Sequence, residues 1–197
     1  MYIKESVNHT LIIEKSRFIA YLMPCFSEDE YKEFLKSIKK KHYDADHVCS
    51  AFINDNVKRS SDDGEPSGTA GVPILSVLEK NNLNHIAALV VRYFGGIKLG
   101  AGGLIRAYGQ AVSDALSIAH FVEDVEYQKY ELTLTYDLAN KVNRLIEKEA
   151  LNINKEYEEN VKYTYLSNDE RLIEKIAEVT SGIKPILIGK EVIQKDV

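Results

Sequence analysis

The feature that most constrains this chain is the segment from Val90 to Gly109, which reads Val-Val-Arg-Tyr-Phe-Gly-Gly-Ile-Lys-Leu-Gly-Ala-Gly-Gly-Leu-Ile-Arg-Ala-Tyr-Gly. An apolar run enters a fifteen-residue stretch with six glycines, and the cations Arg92, Lys98 and Arg106 are spaced through it. Glycine loses more conformational entropy on folding than any other residue. A cluster this dense is therefore expected only where backbone takes φ > 0 or comes very close to a ligand or another backbone. An acidic companion, Asp62-Asp63-Gly64-Glu65-Pro66-Ser67-Gly68-Thr69-Ala70-Gly71, lies upstream, and nine of the eleven glycines fall between positions 64 and 109.

A strand that ends in a glycine-rich turn and opens a helix is a layout for holding an anion, because the first helical N–H groups are free and the dipole is positive there. Arg92, Lys98 and Arg106 would add charge-assisted bonds to a phosphate. The nucleotide motifs themselves are missing. There is no Gly-x-x-x-x-Gly-Lys-Ser/Thr, and Gly100, Gly102 and Gly103 do not make Gly-x-Gly-x-x-Gly. The competing reading is that Gly95, Gly96, Gly100, Gly102 and Gly103 let a helix pack closely on a sheet. Three carboxylates in four residues, Asp62, Asp63 and Glu65, suggest a turn, a charged functional rim with Ser67, or a metal. Adjacent side chains diverge, the alternating ligands of a calcium loop are absent, and no metal or cofactor is expected. His42, Asp44, Asp46 and His47 form a second cluster with zinc-like composition, but Tyr43 to Ala45 reads as a turn. Ser50 and Cys49 lie near His47 without a nucleophile-elbow signature.

The element pattern predicts α+β architecture in two domains, 1–122 and 123–197. Strands are expected up to about Ile13 and over 16–23. Ser27 and Glu30 form a capping-box pattern for a helix over 28–41, whose basic tail suits its C-terminus. A strand over 47–53, a polar loop over 54–68 and a helix through Val72 to Leu78, capped by Ser67 or Thr69, come next. A buried strand over 85–94 and a helix from about 100 to 120 complete the domain. Leu104, Tyr108, Ala111, Val112, Ala115 and Leu116 face inward on that last helix, and Arg106 faces out. From Glu123 glycine nearly disappears. The order strand (127–136), helix (137–150), two strands around 157–165, helix (169–181, opened by Asn168), strand (183–192) spells βαββαβ, the ferredoxin-like unit.

The formal net charge is −5, divided unevenly: fourteen cations and fourteen carboxylates up to Val122, then eleven against sixteen. This argues against a general nucleic-acid coat but allows a local basic surface on the first domain. With no long apolar run and no signal-peptide layout at the start of the sequence, a cytoplasmic protein without membrane contact is expected. Cys25 and Cys49 are expected as buried thiols.

Residues 61–71, joined to residues 91–108, closely resemble the IMPACT family, whose bacterial members are YigZ-like. Lys15-Ser16-Arg17-Phe18 and His47 within Asp46-His47-Val48-Cys49-Ser50-Ala51 also match its pattern. The resemblance implies a first domain similar to the second domain of ribosomal protein S five, and a second similar to the last domain of elongation factor G. It also implies a link to translation, with eukaryotic members looking like stress-response regulators that bind a partner protein. It supplies no catalytic set. The expected partner is RNA, the ribosome or a translation-associated protein, met by Arg17, Arg92, Gly95, Gly96, Lys98, Gly100, Gly102, Gly103 and Arg106. His47, Asp62, Asp63, Glu65 and Ser67 form a rim beside them. The alternatives are an enzyme acting on a phosphorylated or peptide-like small molecule in the same cleft, and a protein-binding regulator using the ferredoxin-like sheet or the rim.

Overall fold

The computed structural model describes residues 1–197 as two compact units, Met1–Glu123 with Asp196–Val197, and Asp124–Lys195. The fold is α+β with antiparallel sheets. No helix is long and apolar enough to cross a membrane.

The first unit is built on a sheet of β2 (Val7–Ile13), β3 (Ser16–Pro24), β6 (Ile86–Tyr93), β4 (His47–Asn54) and β5 (Val57–Ser61), neighbours in that order. The short β1 (Tyr2–Ile3) pairs instead with the start of β7 (Phe121–Leu134). Strand β6 is central because it is apolar on both faces, and all but its last residue is buried. One face, with Phe18, Cys49, Ala88 and Val90, is covered by α2 (Gly71–Lys80) and α3 (Gly100–Leu116). The other, with Phe52, Leu89 and Val91, is covered by α1 (Glu28–Lys41). Strands β3 and β4 are both antiparallel to β6, which separates them, so β3-α1-β4 is a split crossover.

Local chemistry explains the helix ends. Ser27 Oγ accepts the Glu30 N–H at 3.2 Å and Glu30 Oε2 accepts the Phe26 N–H at 2.7 Å, a reciprocal cap that starts α1. Helix α2 departs from expectation: neither Ser67 nor Thr69 caps it. Asp62, from the preceding loop, accepts the N–H groups of Gly68, Ala70 and Gly71 at 2.8–3.0 Å. Strand β5 falls inside the segment read as loop. Its Val-Lys-Arg-Ser-Ser sequence is polar because it is an edge strand paired only with β4, and four of its five residues are exposed.

The second unit contains most of β7, then α4 (Tyr136–Glu149), β8 (Leu151–Tyr157), β9 (Val161–Ser167), α5 (Glu170–Val179) and β10 (Ile186–Asp196). The strand order β10-β7-β9-β8 is that of a ferredoxin-like βαββαβ unit. Alternate residues Tyr163 and Tyr165 of β9 pack with Val142, Ile146, Leu172 and Ile176 of the two helices. Asp169, not Asn168, caps α5; its side chain accepts the Arg171 N–H, while Asn168 ties Gln128 and Glu126 of β7.

Candidate functional site

The glycines divide between packing and conformation. A Cβ on Gly95 would lie 2.1 Å from the Lys15 carbonyl carbon, so this position is glycine because the β2–β3 turn presses on it. Gly100 opens α3 at φ +71 with empty space beside it, a backbone state that L side chains rarely adopt. The turn thus leaves β6, clears the neighbouring hairpin and delivers the α3 N-terminus to the surface.

A cleft of about 460 Å³ lies in front of that helix end. Asp46, His47, Glu65, Arg92, Phe94, Lys98 and the first residues of α3 line it, with Pro66, Leu99 and Leu104. No side chain caps α3 and no acidic residue stands in its first turn, so its leading N–H groups and dipole meet no anion. Lys98 is exposed.

The floor of the cleft is a buried ion pair. Arg92 Nη1 donates to Glu65 Oε1 at 2.6 Å, with the two side chains 6% and 3% exposed. The Tyr108 hydroxyl donates to the same oxygen at 2.8 Å. Arg92 Nε is buried with no hydrogen-bond partner. Such a donor costs about 1–3 kcal/mol when unmet, and this one is closed off beneath the surface of the cleft. The guanidinium lies between aromatic rings, 5.4 Å from the Phe18 centroid and 5.6 Å from that of Phe94.

His47 stands at the wall. Its Nδ1 is 2.8 Å from the Asp63 carbonyl oxygen, which only accepts, so Nδ1 carries a proton. Its Nε2 lies 3.9 Å from Glu65 Oε2. In the neutral ring Nε2 is therefore the lone-pair nitrogen.

The rim residues have separate tasks. Burial works to raise the Asp62 carboxyl, but its three backbone donors outweigh this and hold it below the usual carboxylate range. Asp63 joins β4 to α1: its carboxylate accepts the Val48 N–H at 2.7 Å and pairs with Lys39 at 2.7 Å. Ser67 is exposed and does not line the cleft. Only His47 and Glu65 of the five rim residues converge on it. Of the cations, Arg92 and Lys98 line it, Arg106 lies beside it, and Arg17 does not take part. Arg17 pairs with Tyr93 in register, one residue from Arg92, and so takes the α1 face, its guanidinium 4.3 Å above the Tyr93 ring.

The other sequence candidates have partners of their own. His42 bridges the Tyr21 and Tyr93 hydroxyls, and Asp44 accepts from Tyr93. Asp46 accepts the Phe94 N–H at 2.7 Å, anchoring the turn. Burial pushes the Cys49 thiol up to about 12, and Ser50, on the opposite face, bonds the Tyr31 hydroxyl. Neither is an activated nucleophile. Phe94 and Asp46 line the cleft, and Tyr108 supports Glu65 from beneath it, although the sequence did not assign them to it. Tyr108 was legible as an inward residue of α3, but its hydroxyl had no visible partner.

The chain is thus a two-unit α+β protein with an ion-paired cleft at a helix N-terminus that follows a glycine-rich turn. A family model described as the Impact N-terminal domain matches residues 14–116. An IMPACT family member from Bacillus subtilis, YvyE, is 45% identical over 195 residues, covering 95% of this chain and 90% of its own. The Escherichia coli member YigZ is 39% identical over 139 residues, covering 68% of each chain. A solved structure described as the crystal structure of a hypothetical protein aligns with TM-score 0.60 at 32% identity, covering 95% of this chain and 96% of that one. The chain belongs to the IMPACT family.

Proposed function

We propose that this protein is a translation-linked regulator that binds RNA or a ribonucleoprotein by seating a backbone phosphate in the cleft before α3. The observation that carries this reading is the uncapped N-terminus of α3 beside the exposed Lys98, in a cleft that Arg92 also lines. A phosphate supplies what both lack: an anion for the helix dipole and a counter-ion for Lys98. The link to translation rests on the family resemblance, and no catalytic step is assigned.

A second reading, an enzyme acting on a phosphorylated small molecule, draws on His47 alone. A lone pair at Nε2, fixed by the Asp63 carbonyl, is what a general base requires. Of the rim carboxylates, Asp62 and Asp63 are committed to α2 and to the β4–α1 junction, and Glu65, 3.9 Å from Nε2, is bonded to Arg92 and Tyr108.

The test is binding of single-stranded RNA and of ribosomes to the wild type and to Ala101→Glu. This substitution puts a carboxylate in the first turn of α3, where it favours the helix and repels a phosphate. The expected result is unchanged thermal stability with binding reduced at least tenfold. Neutralising two or three phosphate charges also makes wild-type affinity fall roughly tenfold between 50 and 200 mM salt. Affinity insensitive to both salt and Ala101→Glu overturns the reading.

A further inference from the structure

A second cavity, of about 520 Å³, lies on the other side of the turn, lined by Ile13, Glu14, Ile97, Lys98, Leu99, Gly103 and Arg106. It shares Lys98 and Leu99 with the first, so the two cavities flank one narrow ridge. Each has its own arginine, Arg92 in the first and Arg106 in the second. Each also has an exposed apolar side chain at its edge, Phe94 at 46% and Ile97 at 41%. Arg106 forms no ion pair with Glu14, and it curls toward the α3 start, where a Cβ on Gly102 would be 3.5 Å from its Nη1.

Resting on the reading of the first cavity as a phosphate site, we infer that the ridge is straddled by a single-stranded RNA segment. One nucleotide occupies each cavity, and Lys98 meets the phosphate that joins them. A small phosphorylated molecule has use for one cavity only, whereas a chain with regularly spaced phosphates uses the repeated arrangement of cation and apolar platform on both sides. Single strands bind by such a combination, with bases laid on apolar faces and cations following the backbone. A duplex keeps its bases stacked inside and has nothing to insert into two concave cavities. Carboxylates face both spaces. Asp46, in the first, is occupied by the Phe94 N–H. Glu14, in the second, repels phosphate and accepts from a base N–H, such as N3–H of uracil, so it directs a base edge, not the backbone, to its end of the cavity.

The experiment measures anisotropy of a 5′-fluorescein-labelled uridine tetranucleotide, with uridine monophosphate and a blunt RNA duplex as unlabelled competitors. The proteins are the wild type, Arg106→Ala and Ala101→Glu; both changed positions are exposed. The tetranucleotide is expected to bind at least tenfold more tightly than the monophosphate. Arg106→Ala should weaken the tetranucleotide three- to tenfold and leave the monophosphate unchanged, while Ala101→Glu weakens both. Equal affinity for tetranucleotide and monophosphate, an unaffected tetranucleotide in Arg106→Ala, or a duplex competing as well as the single strand overturns the two-cavity inference alone. If neither tetranucleotide nor monophosphate binds, the phosphate reading of the first cavity falls, and this inference with it.

Discussion

Replacing Glu65 with alanine isolates the energetic centre of the cleft. Glu65 and Arg92 are almost fully buried, so their mutual attraction offsets the loss of hydration of both. Glu65→Ala leaves a guanidinium in a low-dielectric site with its Nη1 unpaired and its Nε already without a partner. Tyr108 loses the acceptor of its hydroxyl in the same step. Breaking one side of a buried pair costs about 3–5 kcal/mol. For a unit of this size that corresponds to a melting-point drop of roughly 10–20 °C. Removing the stranded charge as well, in Glu65→Ala with Arg92→Met, should recover a large part of the loss, because an apolar side chain does not require hydration in that place. Thermal and urea unfolding followed by far-ultraviolet circular dichroism suits a chain with no tryptophan. Amide exchange in β4 and β6 assigns the loss to the first unit. The phosphate proposal adds a second expectation: inorganic phosphate stabilises Glu65→Ala more than the wild type, since the anion then replaces the missing carboxylate beside Arg92. A loss below about 1 kcal/mol, the range of an exposed pair, or a double variant no more stable than the single, refutes the reasoning.

Two further outcomes follow from the loop and the turn. Asp62→Ala removes the acceptor of three N–H groups at the start of α2 and should cost about 1–2 kcal/mol at neutral pH. Since the folded carboxyl is held below its ordinary value, its contribution is complete above about pH 4 and disappears as the pH falls through the folded value. The acid limb of the stability profile should therefore be shallower in the variant, and an unchanged limb in urea titrations between pH 2 and 5 refutes the assignment. Gly95→Ala forces a methyl group against the Lys15 backbone and should cost about 3 kcal/mol or more. Gly102→Ala, in ordinary contact within the first turn of α3, should be neutral or slightly stabilising. Equal melting points for the two variants contradict the packing role of Gly95.

Much of this molecule was legible in the chain because its signals are local. Ser27 and Glu30 announce α1 within one turn, and the 3.6-residue recurrence from Leu104 to Leu116 gives the buried face of α3, although the helix expected to about residue 120 ends at Leu116. The βαββαβ order likewise follows from short-range periodicity and caps. The density of glycine from Gly95 to Gly103 indicated that backbone had to turn and approach something closely, and that the turn opened a helix. What the sequence left open is decided by pairs far apart in the chain. Arg92 meets Glu65 across 27 positions and Tyr108 meets it across 43. Arg17 and Arg92 look equivalent as cations, yet the β3–β6 register places them on opposite faces of the sheet. Adjacent Asp62 and Asp63, alike in composition, serve different helices because the loop between β5 and α2 points their carboxylates apart. Local steric and capping preferences act within a few residues, so the sequence carries them directly. The charge environment of Arg92, with one nitrogen paired and another without a partner, arises only where strands β4 and β6, helix α3 and the acidic loop meet.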